Sequence, residues 1–430
     1  MNEAVHAPPL APPGYLELLR RRPAYRAIWM GSVVSLAGDW FTLIALYSLL
    51  QAYTGRSESI GLMLLARFVP PGVFSALAGV VADRVHRQKV MVACDVLRAL
   101  IVLGFLVVHD ASGVWLVYAL TFAQLTLSSF FDPAEQAAIA SVVEPHEVVT
   151  ANTLQGATWS AMLGFGALAG GTVTALVGRD ASFVIDAASY ALSALFISRA
   201  AIPRVVHPPR ARSLATLVGL SDLREGWQLV ARNPRLRRAL WVKVSWAIPG
   251  GAAILLYAVF GERLFTVAGS PDVAMGVILG MRGVGAFVVP LLARRIGGDS
   301  ADWLERAIGV AYVVTAVFWF LFAQAPWLWL AAVMLSLAHT GVSTQWVFSS
   351  SLITLQVEDR LRGRVFAVDF MAYTLVLGLS SWLGGRLLDH HGFAPRELMS
   401  WLSVVLLGAA GIWWWLRPSR SPGPLPSVGA

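Results

Sequence analysis

Long apolar runs follow one another from one end of the chain to the other. About twelve of them reach about 20 residues, the length of an α-helix that crosses roughly 30 Å of hydrocarbon. They lie near residues 27–52, 60–82, 90–108, 114–131, 156–177, 181–199, 239–260, 273–293, 306–323, 327–347, 367–389 and 396–416. The pattern predicts an all-α polytopic membrane protein, in which the first run is a retained span because no small-residue cleavage site follows it.

The two halves of the chain resemble each other. The segment YRAIW at 25–29 recurs as RRALW at 237–241, and IGLMLLAR at 60–67 recurs as MGVILGMR at 275–282. Further pairs share one offset of 214: Glu144, Gly164, Gly170, Gly171 and Gly178 match Glu358, Gly378, Gly384, Gly385 and Gly392. Matches in order at one spacing predict a parallel duplication, with two pseudo-symmetric halves of six helices each.

These repeats divide the chain into five predicted parts. A cytoplasmic N-terminal segment (1–24) precedes the first six-helix bundle (25–199). A cytoplasmic linker rich in Arg and Pro (200–236), with a surface helix near Leu220–Val230, leads to the second bundle (237–416). Residues 417–430, rich in Pro, Ser and Gly, are predicted to form a disordered tail.

Charge is scarce and unevenly placed. Only 13% of the residues are charged, against about 25% in a soluble domain, and the mean hydropathy is +0.65. If the spans alternate from a cytoplasmic N-terminus, 24 of the 33 basic residues lie on the inner side and 4 on the outer side. This asymmetry predicts that both termini are cytoplasmic. The net charge of +8 is therefore explained by topology, and we expect no nucleic-acid partner.

Several segments resemble the major facilitator superfamily. GVVADRVHRQKV (79–90) resembles its short-loop signature, with Gly79, Asp83, Arg84, Arg87 and Lys89 in place, and GALAGG (166–171) resembles the fifth-helix motif of its antiporter branch, with Gly166, Gly170 and Gly171. LAGDWFTLIAL, FFDPAEQAAIASVVEPHEVVTANTL and LRGRVFAV are similar to bacterial macrolide-efflux and enterobactin-export permeases. The resemblance covers residues 20–416 and implies the same fold and transport by alternating access.

The two motifs carry separate expectations. The loop 79–90 is expected to set topology through its basic residues, while Asp83 forms part of a gating latch that holds the cytoplasmic side shut. The glycines of 166–171 are expected to form a close helix-packing surface. The segments Pro70, Pro71 and Gly72, and Pro249, Gly250 and Gly251, are expected to mark bending points of their helices.

One carboxylic acid, Asp39, stands near the middle of the first apolar run. Ionisable groups inside spans are costly and mark functional sites by default. The counterpart of Asp39 in the second half is Gly251, so the repeat itself does not call for an acid. We interpret Asp39 as a group that binds a proton, attracts a cationic substrate, or exchanges one for the other. The alternative is a structural acid paired with Arg67 or another arginine of the same half.

Other polar groups inside the runs are weaker candidates. Asp95 and Arg98 share a helix face, so they can pair with each other or with the loop signature, or take part in coupling. Arg67 and Arg282 occupy equivalent places, which favours a shared structural role over contact with a substrate. Both remain candidates for lining a cavity, together with Trp40, Gln124, Trp246, His339 and Gln345.

The sequence holds no pattern for enzyme chemistry. It has no phosphate-binding glycine-rich loop, no HExxH and no GxSxG, and HEVV at 146–149 lacks a second histidine at metal-binding spacing. With Cys94 as the only cysteine, we expect no metal site and no cofactor. Without a nucleotide site, an ion gradient is the expected energy source, and protons need only one well-placed carboxyl.

The combined expectation is a monomeric secondary transporter in a bacterial inner membrane, because arginine far outnumbers lysine as in GC-rich genomes. Its partners are protons, membrane lipid and a hydrophobic or amphipathic small molecule (a drug, siderophore or secondary metabolite), which it exports. One alternative keeps the fold and makes the chain an importer or a lipid transporter. Another is a non-transporting membrane receptor or scaffold.

Overall fold

The computed structural model describes residues 13–203, 220–297 and 300–416. The predicted tail 417–430, most of the N-terminal segment and the middle of the linker lie outside these ranges. Within them the chain forms long α-helices and no strand. In the first half these are α1 (Tyr15–Arg21), α2 (Pro23–Thr54), α3 (Ser57–Arg84), α4 (Arg87–Gly104), α5 (Val114–Val142), α6 (Val148–Ala161), α7 (Ala167–Val177) and α8 (Arg179–Ser198).

The second half repeats the series after the linker. Its helices are α9 (Leu220–Arg232), α10 (Pro234–Arg263), α11 (Pro271–Gly297), α12 (Ala301–Gln324), α13 (Leu328–Gln356), α14 (Asp359–His390) and α15 (Pro395–Trp415). Helix α9 is the surface helix predicted near Leu220–Val230. A π-helical turn, Met162–Gly166, joins α6 to α7, so that the two form a single candidate span, Val148–Val177.

Membrane-spanning length is common among these helices. Nine candidate spans in the described part of the chain are long and apolar enough to cross a membrane. Helices α3, α11 and α13, with 28, 27 and 29 residues, have the length as well. The predicted all-α polytopic fold is confirmed, whereas a count of twelve membrane crossings stays a prediction.

Local chemistry explains where several helices begin and end. Proline stands at the start of α2, α10 and α15, where its missing N–H costs nothing and its fixed φ suits a first turn. The Asn233 side chain accepts hydrogen bonds from the first N–H groups of α10. Gly55 ends α2 with φ of 62°, a left-handed conformation that a side chain disfavours.

Two helix pairs join the halves. Along the first seam, α3 packs on α14, and a Cβ at Gly61 would lie 2.6 Å from the Ser381 carbonyl oxygen. Along the second seam, α7 packs on α11, and a Cβ at Gly276 would lie 2.8 Å from the Ala167 carbonyl oxygen. Small residues let the backbones approach closely, so each half contributes one face to each seam.

The two prolines do not break their helices, because α3 and α10 run through Pro70 and Pro249. In α10, Ser380 of α14 accepts a hydrogen bond from the Ala252 N–H at 3.1 Å and donates to the Ile248 carbonyl. A neighbouring helix thus satisfies backbone groups beside the proline, which is how spans tolerate such residues.

A polar clasp closes the first seam at its predicted outer end. The Glu58 carboxylate of α3 accepts hydrogen bonds from Trp382 Nε1 at 3.1 Å and pairs with His390 Nε2 at 2.8 Å, both on α14. In return, Asp389 accepts a hydrogen bond from the Glu58 backbone N–H at 2.7 Å. The clasp, defined as Glu58, Trp382, Asp389 and His390, therefore binds the two halves together.

Removing the clasp is expected to open the outer side. In a Cys94→Ser background, Thr374→Cys places a thiol in the first seam. Glu58→Ala with Asp389→Ala should raise the rate of its labelling by an impermeant maleimide several-fold, because losing about 1–2 kcal/mol of contacts shifts a two-state equilibrium by roughly that factor. Asp180→Asn, an exposed acid at the same predicted end, is the control; equal labelling in all three proteins contradicts the closing role.

Candidate functional site

Asp39 lies inside the first half and contacts protein. Its carboxylate, on α2, accepts a hydrogen bond from the Tyr190 hydroxyl of α8 at 2.5 Å. Tyr190 is fully buried and in turn accepts one from Gln124 Nε2 of α5 at 3.0 Å. No described ion pair joins Asp39 to Arg67. Three helices therefore position this acid, which is half-buried.

Asp95 and Arg98 of α4 form an ion pair beside this chain of hydrogen bonds. Both side chains are buried, and Asp95 also accepts a hydrogen bond from Ser193 at 2.7 Å. The Arg98 guanidinium lies between the rings of Phe131 and Tyr190, 4.3 and 4.5 Å from their centroids. The ring faces stabilise the cation, so Arg98 is held on three sides.

Two carboxyl groups were missed at the sequence level, Asp132 and Glu135 of α5. The apolar run ends at residue 131 because Asp132 and Pro133 interrupt it, but the helix continues to Val142. Glu135 accepts hydrogen bonds from Ser32 and, at 3.2 Å, from Gln155 Nε2. The available sequence signal was the spacing of Asp132 and Glu135, because three residues along a helix bring two side chains to one face.

These groups form one cluster with an excess of acid. Asp132 follows Phe131, whose ring centroid lies 4.3 Å from the Arg98 guanidinium, and Glu135 lies three residues further along α5. Asp186 of α8 is buried, and its carboxylate lies beside Gly38, the residue before Asp39. We call these groups the carboxylate cluster: Asp39, Asp95, Asp132, Glu135 and Asp186, with Arg98 as its cation.

Unbalanced charge is the chemical property of the carboxylate cluster. Asp95 and Asp186 are buried, Asp39 and Glu135 are half-buried, and Asp132 is exposed. Five carboxylates set against one guanidinium attract positive charge. That charge can come from protons or from an organic cation. The arrangement can therefore bind and release cations, as a coupling site must.

The second half holds a balanced, buried ion pair. Lys243 of α10 pairs with Asp369 of α14 at 2.5 Å, and both are buried. The ammonium lies 4.5 Å from the centroid of the Trp346 ring. This pair resembles a structural ion pair, because neither charge is left without a partner.

Gly251, the counterpart of Asp39, has a packing reason of its own. A Cβ there would lie 2.1 Å from the Leu377 carbonyl oxygen and 2.8 Å from Ser380 Cβ. No side chain fits between α10 and α14 at this level. The second half therefore requires glycine at this position. The absence of an acid there is explained by packing and gives little support to a functional role of Asp39.

The predicted cavity residues fall into two groups. Arg67 and Arg282 are half-buried, and Arg282 Nε donates to His339 Nε2 at 3.1 Å. The others pack within their own half: Trp40 lies against Gly166, Gln124 bonds Tyr190, Trp246 stacks on Tyr373, and Gln345 donates to Thr315. Gln124, Trp246 and Gln345 are buried and Trp40 is half-buried, and all four side chains take part in helix contacts.

The loop motif lies at the end of α3 and the start of α4. Arg84 and Lys89 are exposed, and Arg87 donates to the Ala137 carbonyl of α5 at 2.8 Å. A Cβ at Gly79 would meet no atom within 4 Å, and the Asp83 side chain lies outside the described residues. Among the described ion pairs none joins this loop to the second half, so its latch role stays a prediction.

The glycines of the 166–171 motif contact both a neighbour in their half and the opposite half. Cβ atoms at Gly166 and Gly170 would lie 2.8 and 2.9 Å from Trp40 atoms of α2. One at Gly171 would lie 2.5 Å from the Asp272 carbonyl oxygen of α11. The motif thus lies where three helices come closest.

A groove of about 620 Å³ runs beside the second seam. Its lining includes Phe165, Leu168, Val284 and Trp329, and it contains no titratable side chain. Phe165 is 73% exposed, so the groove opens outward. The groove therefore offers no group that could bind a proton, unlike the carboxylate cluster.

Two helical halves that meet along two seams and enclose charged groups have the architecture of a secondary transporter. The sequence model of the Major Facilitator Superfamily matches residues 28–344. The chain belongs to that superfamily; it is a multi-pass membrane transporter and not an enzyme, as the sequence predicts.

Individual relatives are distant but match over most of their length. The chain is 23% identical to the putative bacilysin exporter BacE of Bacillus subtilis, covering 84% of this chain and 88% of that one. It is 25% identical to the multidrug efflux pump Tap of Mycolicibacterium fortuitum, covering 87% and 92%. The structure of the nucleoside transporter NupG shares the fold with a TM-score of 0.71 at 14% identity, covering 91% and 99%. These comparisons confirm the predicted resemblance to bacterial exporters of this superfamily.

Proposed function

We propose that the chain exports a hydrophobic or amphipathic small molecule from a bacterial cell in exchange for protons, by alternating access. The carboxylate cluster is the observation that carries this proposal, because its five acids outnumber its single cation and attract positive charge. Asp39 is the coupling residue, since it accepts a hydrogen bond from Tyr190, whose ring lies on the Arg98 guanidinium that pairs with Asp95. The names of the relatives BacE and Tap agree with export of a drug or metabolite.

The coupling step follows from charge balance. When protons occupy the cluster, the repulsion among its carboxylates falls and the first half can change its packing against the second. When protons leave, the negative charge returns and favours the opposite arrangement. Arg98 permanently compensates the negative charge of Asp95. Asp39 has a single described hydrogen bond and is the group that exchanges a proton.

Gradient-driven transport tests the proposal. We expect purified protein in vesicles to move naphthylmethyl trimethylammonium or naphthalene sulfonate, both permanently charged, in response to an imposed pH gradient. Asp39→Asn should abolish the response to the gradient, because the amide cannot carry the proton. The measurement is flux of either probe with the gradient imposed in each direction.

A control variant accompanies this test, and three results would contradict parts of the proposal. Glu397→Gln removes an exposed acid at the start of α15 and should leave the flux unchanged. Full gradient-driven flux in Asp39→Asn contradicts the role of Asp39. Flux in the same direction as the protons favours the importer, and no flux of any probe favours a receptor or scaffold.

A further inference from the structure

The buried ion pair of the second half lies among aromatic rings. The Lys243 ammonium of α10 lies 4.5 Å from the centroid of the Trp346 ring on α13 and 5.7 Å from that of Phe366 on α14. Its hydrogen bond to Asp369 Oδ2 is 2.5 Å long. Ring faces around a cation are the arrangement by which proteins recognise organic ammonium ions. Charge balance accounts for the pair, but it does not account for the rings.

Helical spacing gathers most of these groups on one face of α14. Its aromatic and acidic side chains recur three and four residues apart, which places them on one stripe: Phe366, Asp369, Phe370 and Tyr373. The centroid of the Tyr373 ring lies 6.4 Å from that of Phe370 and 5.0 Å from that of Trp346. Two neighbouring helices therefore supply four rings beside a single carboxylate.

Helix α10 completes the group with the same spacing. Lys243 and Trp246 stand three residues apart on it, and the Trp246 ring stacks on Tyr373 at 6.1 Å. Three helices thus contribute to one set of contacts. We call this set the aromatic cluster, and it consists of the ion pair and five rings: Lys243, Asp369, Trp246, Trp346, Phe366, Phe370 and Tyr373.

The aromatic cluster is partly buried and partly open. Lys243 and Asp369 are 5% and 1% exposed, whereas Trp346 and Phe370 are 39% and 38% exposed. Ring surface is therefore available to a flat apolar body next to the buried charges.

One oxygen of the carboxylate is not used by the pair. Asp369 Oδ2 accepts the hydrogen bond from Lys243, while Oδ1 is buried and has no hydrogen-bond partner among the residues that the structure describes. A buried acceptor without a donor is costly, more so when it carries charge. The free oxygen favours a positively charged ligand over an anion.

The aromatic cluster adjoins the first seam between the halves. Residues of α14 next to it face α3, since a Cβ at Gly72 would lie 2.4 Å from Thr374 Oγ1 and 3.5 Å from Met371 Cα. Asp369 stands about ten residues from the start of α14, roughly 15 Å along the helix axis. A ligand at this place lies at membrane depth, beside a surface that alternating access rearranges.

We propose that the aromatic cluster binds the transported molecule and that this molecule is an amphipathic organic cation. Its flat body lies on Trp346 and Phe370, and its ammonium takes the place on Asp369 that Lys243 holds in the empty protein. Lys243 is thus a tethered competitor, which keeps the buried carboxylate compensated when no substrate is bound. This rests on the proposed transport function and narrows its substrate to cations that carry a ring.

Probes of one shape and different charge test the site. Equilibrium dialysis of the purified full chain in detergent would measure three affinities. We expect naphthylmethyl trimethylammonium to bind at least about tenfold more tightly than naphthalene methanol, because only the cation gains from the carboxylate and the ring faces. Naphthalene sulfonate should bind no more tightly than the alcohol. A parent protein without this preference for the cation overturns the proposal.

Variants of the pair separate a binding role from a structural one. Lys243→Met removes the competitor and should tighten the binding of the cation several-fold, whereas a purely structural pair predicts no gain. Lys243→Met with Asp369→Asn removes both charges, so no buried charge is stranded, and the preference for the cation should fall by at least about tenfold. A Lys243→Met protein that gains no affinity, or a double variant that keeps the preference, overturns the proposal.

Two surface variants complete the set. Trp346→Leu changes a partly exposed side chain, so it tests the site even if the variants of the pair do not fold; it should weaken the cation several-fold, and full affinity contradicts the proposal. Glu397→Gln, at an exposed acid, is the control and should change no affinity.

Competition separates two sources of the ammonium group. If bilayers of phosphatidylethanolamine abolish binding that persists in phosphatidylglycerol, the occupant is a lipid headgroup. If tetramethylammonium displaces the probe as effectively as the unlabelled probe itself, the rings bind no flat body. Either result overturns the substrate assignment.

The carboxylate cluster of the first half is the rival place for the cation. Asp39→Asn should leave the affinity for the cation unchanged. If Asp39→Asn abolishes the preference and the double variant of the pair retains it, the cation binds in the first half and this site is wrong, although exchange for protons stands. If binding follows the prediction but vesicles show no gradient-driven flux, the site stands and the proposed function fails.

Discussion

Gly251→Asp, which gives the second half the residue that the first half has at position 39, is expected to prevent stable folding. The new Cβ would lie 2.1 Å from the Leu377 carbonyl oxygen, so α10 and α14 would have to separate. Separation would break the hydrogen bond from the Ser381 hydroxyl to the Gly251 carbonyl, now 3.0 Å long. It would also bury an unpaired acid. We expect a loss of more than about 4 kcal/mol.

Smaller variants show whether packing or charge is responsible. Gly251→Ala adds only the Cβ and should already lower the melting temperature in detergent substantially. Gly408→Ala on α15, where a Cβ would meet nothing within 4 Å, should be neutral or stabilise by up to about 1 kcal/mol. A Gly251→Ala protein as stable as the parent would show that the two helices do not approach as closely as described.

Arg98→Gln is expected to produce the second large effect, a loss of about 3–5 kcal/mol of stability. The substitution leaves Asp95, which is fully buried, without its cation and removes the only positive charge of the carboxylate cluster. It also removes the group held between Phe131 and Tyr190. The measurement is thermal or denaturant unfolding of the purified protein in detergent.

The partner variant separates lost pairing from lost packing. Asp95→Asn with Arg98→Gln removes both charges of the ion pair and should recover part of the stability, because no buried carboxylate is then stranded next to a missing cation. Arg199→Gln, on an exposed arginine, is the control and should change nothing. A double variant as unstable as Arg98→Gln alone would show that the pair is not the cause.

Much of the architecture was readable from the sequence. The helices at the apolar runs, the repeat of six in each half and the surface helix α9 required only hydrophobic length, glycine spacing and proline position. The pairing of Asp95 with Arg98 was also accessible, because three residues along a helix bring side chains to one face. These features depend on residues that are close together in the sequence.

Other features depended on contacts between distant segments. Asp132 and Glu135 were missed because an interrupted apolar run does not show that the helix continues. The partners of Glu135, Ser32 and Gln155, come from other helices. The comparison of Asp39 with Gly251 misled for a similar reason. Nothing in the sequence indicates that α14 lies so close to Gly251 that no side chain fits between them.

The sequence by itself determined which segments are helices and that the two halves share one plan, since both follow from periodicity and hydrophobicity along the chain. Only the tertiary structure decided which charges are compensated, because compensation depends on distances between helices far apart in sequence. It left the acids of the first half in excess among the described residues. Charge removed from water is costly unless it is compensated, so this imbalance identifies the groups on which the proposed function rests.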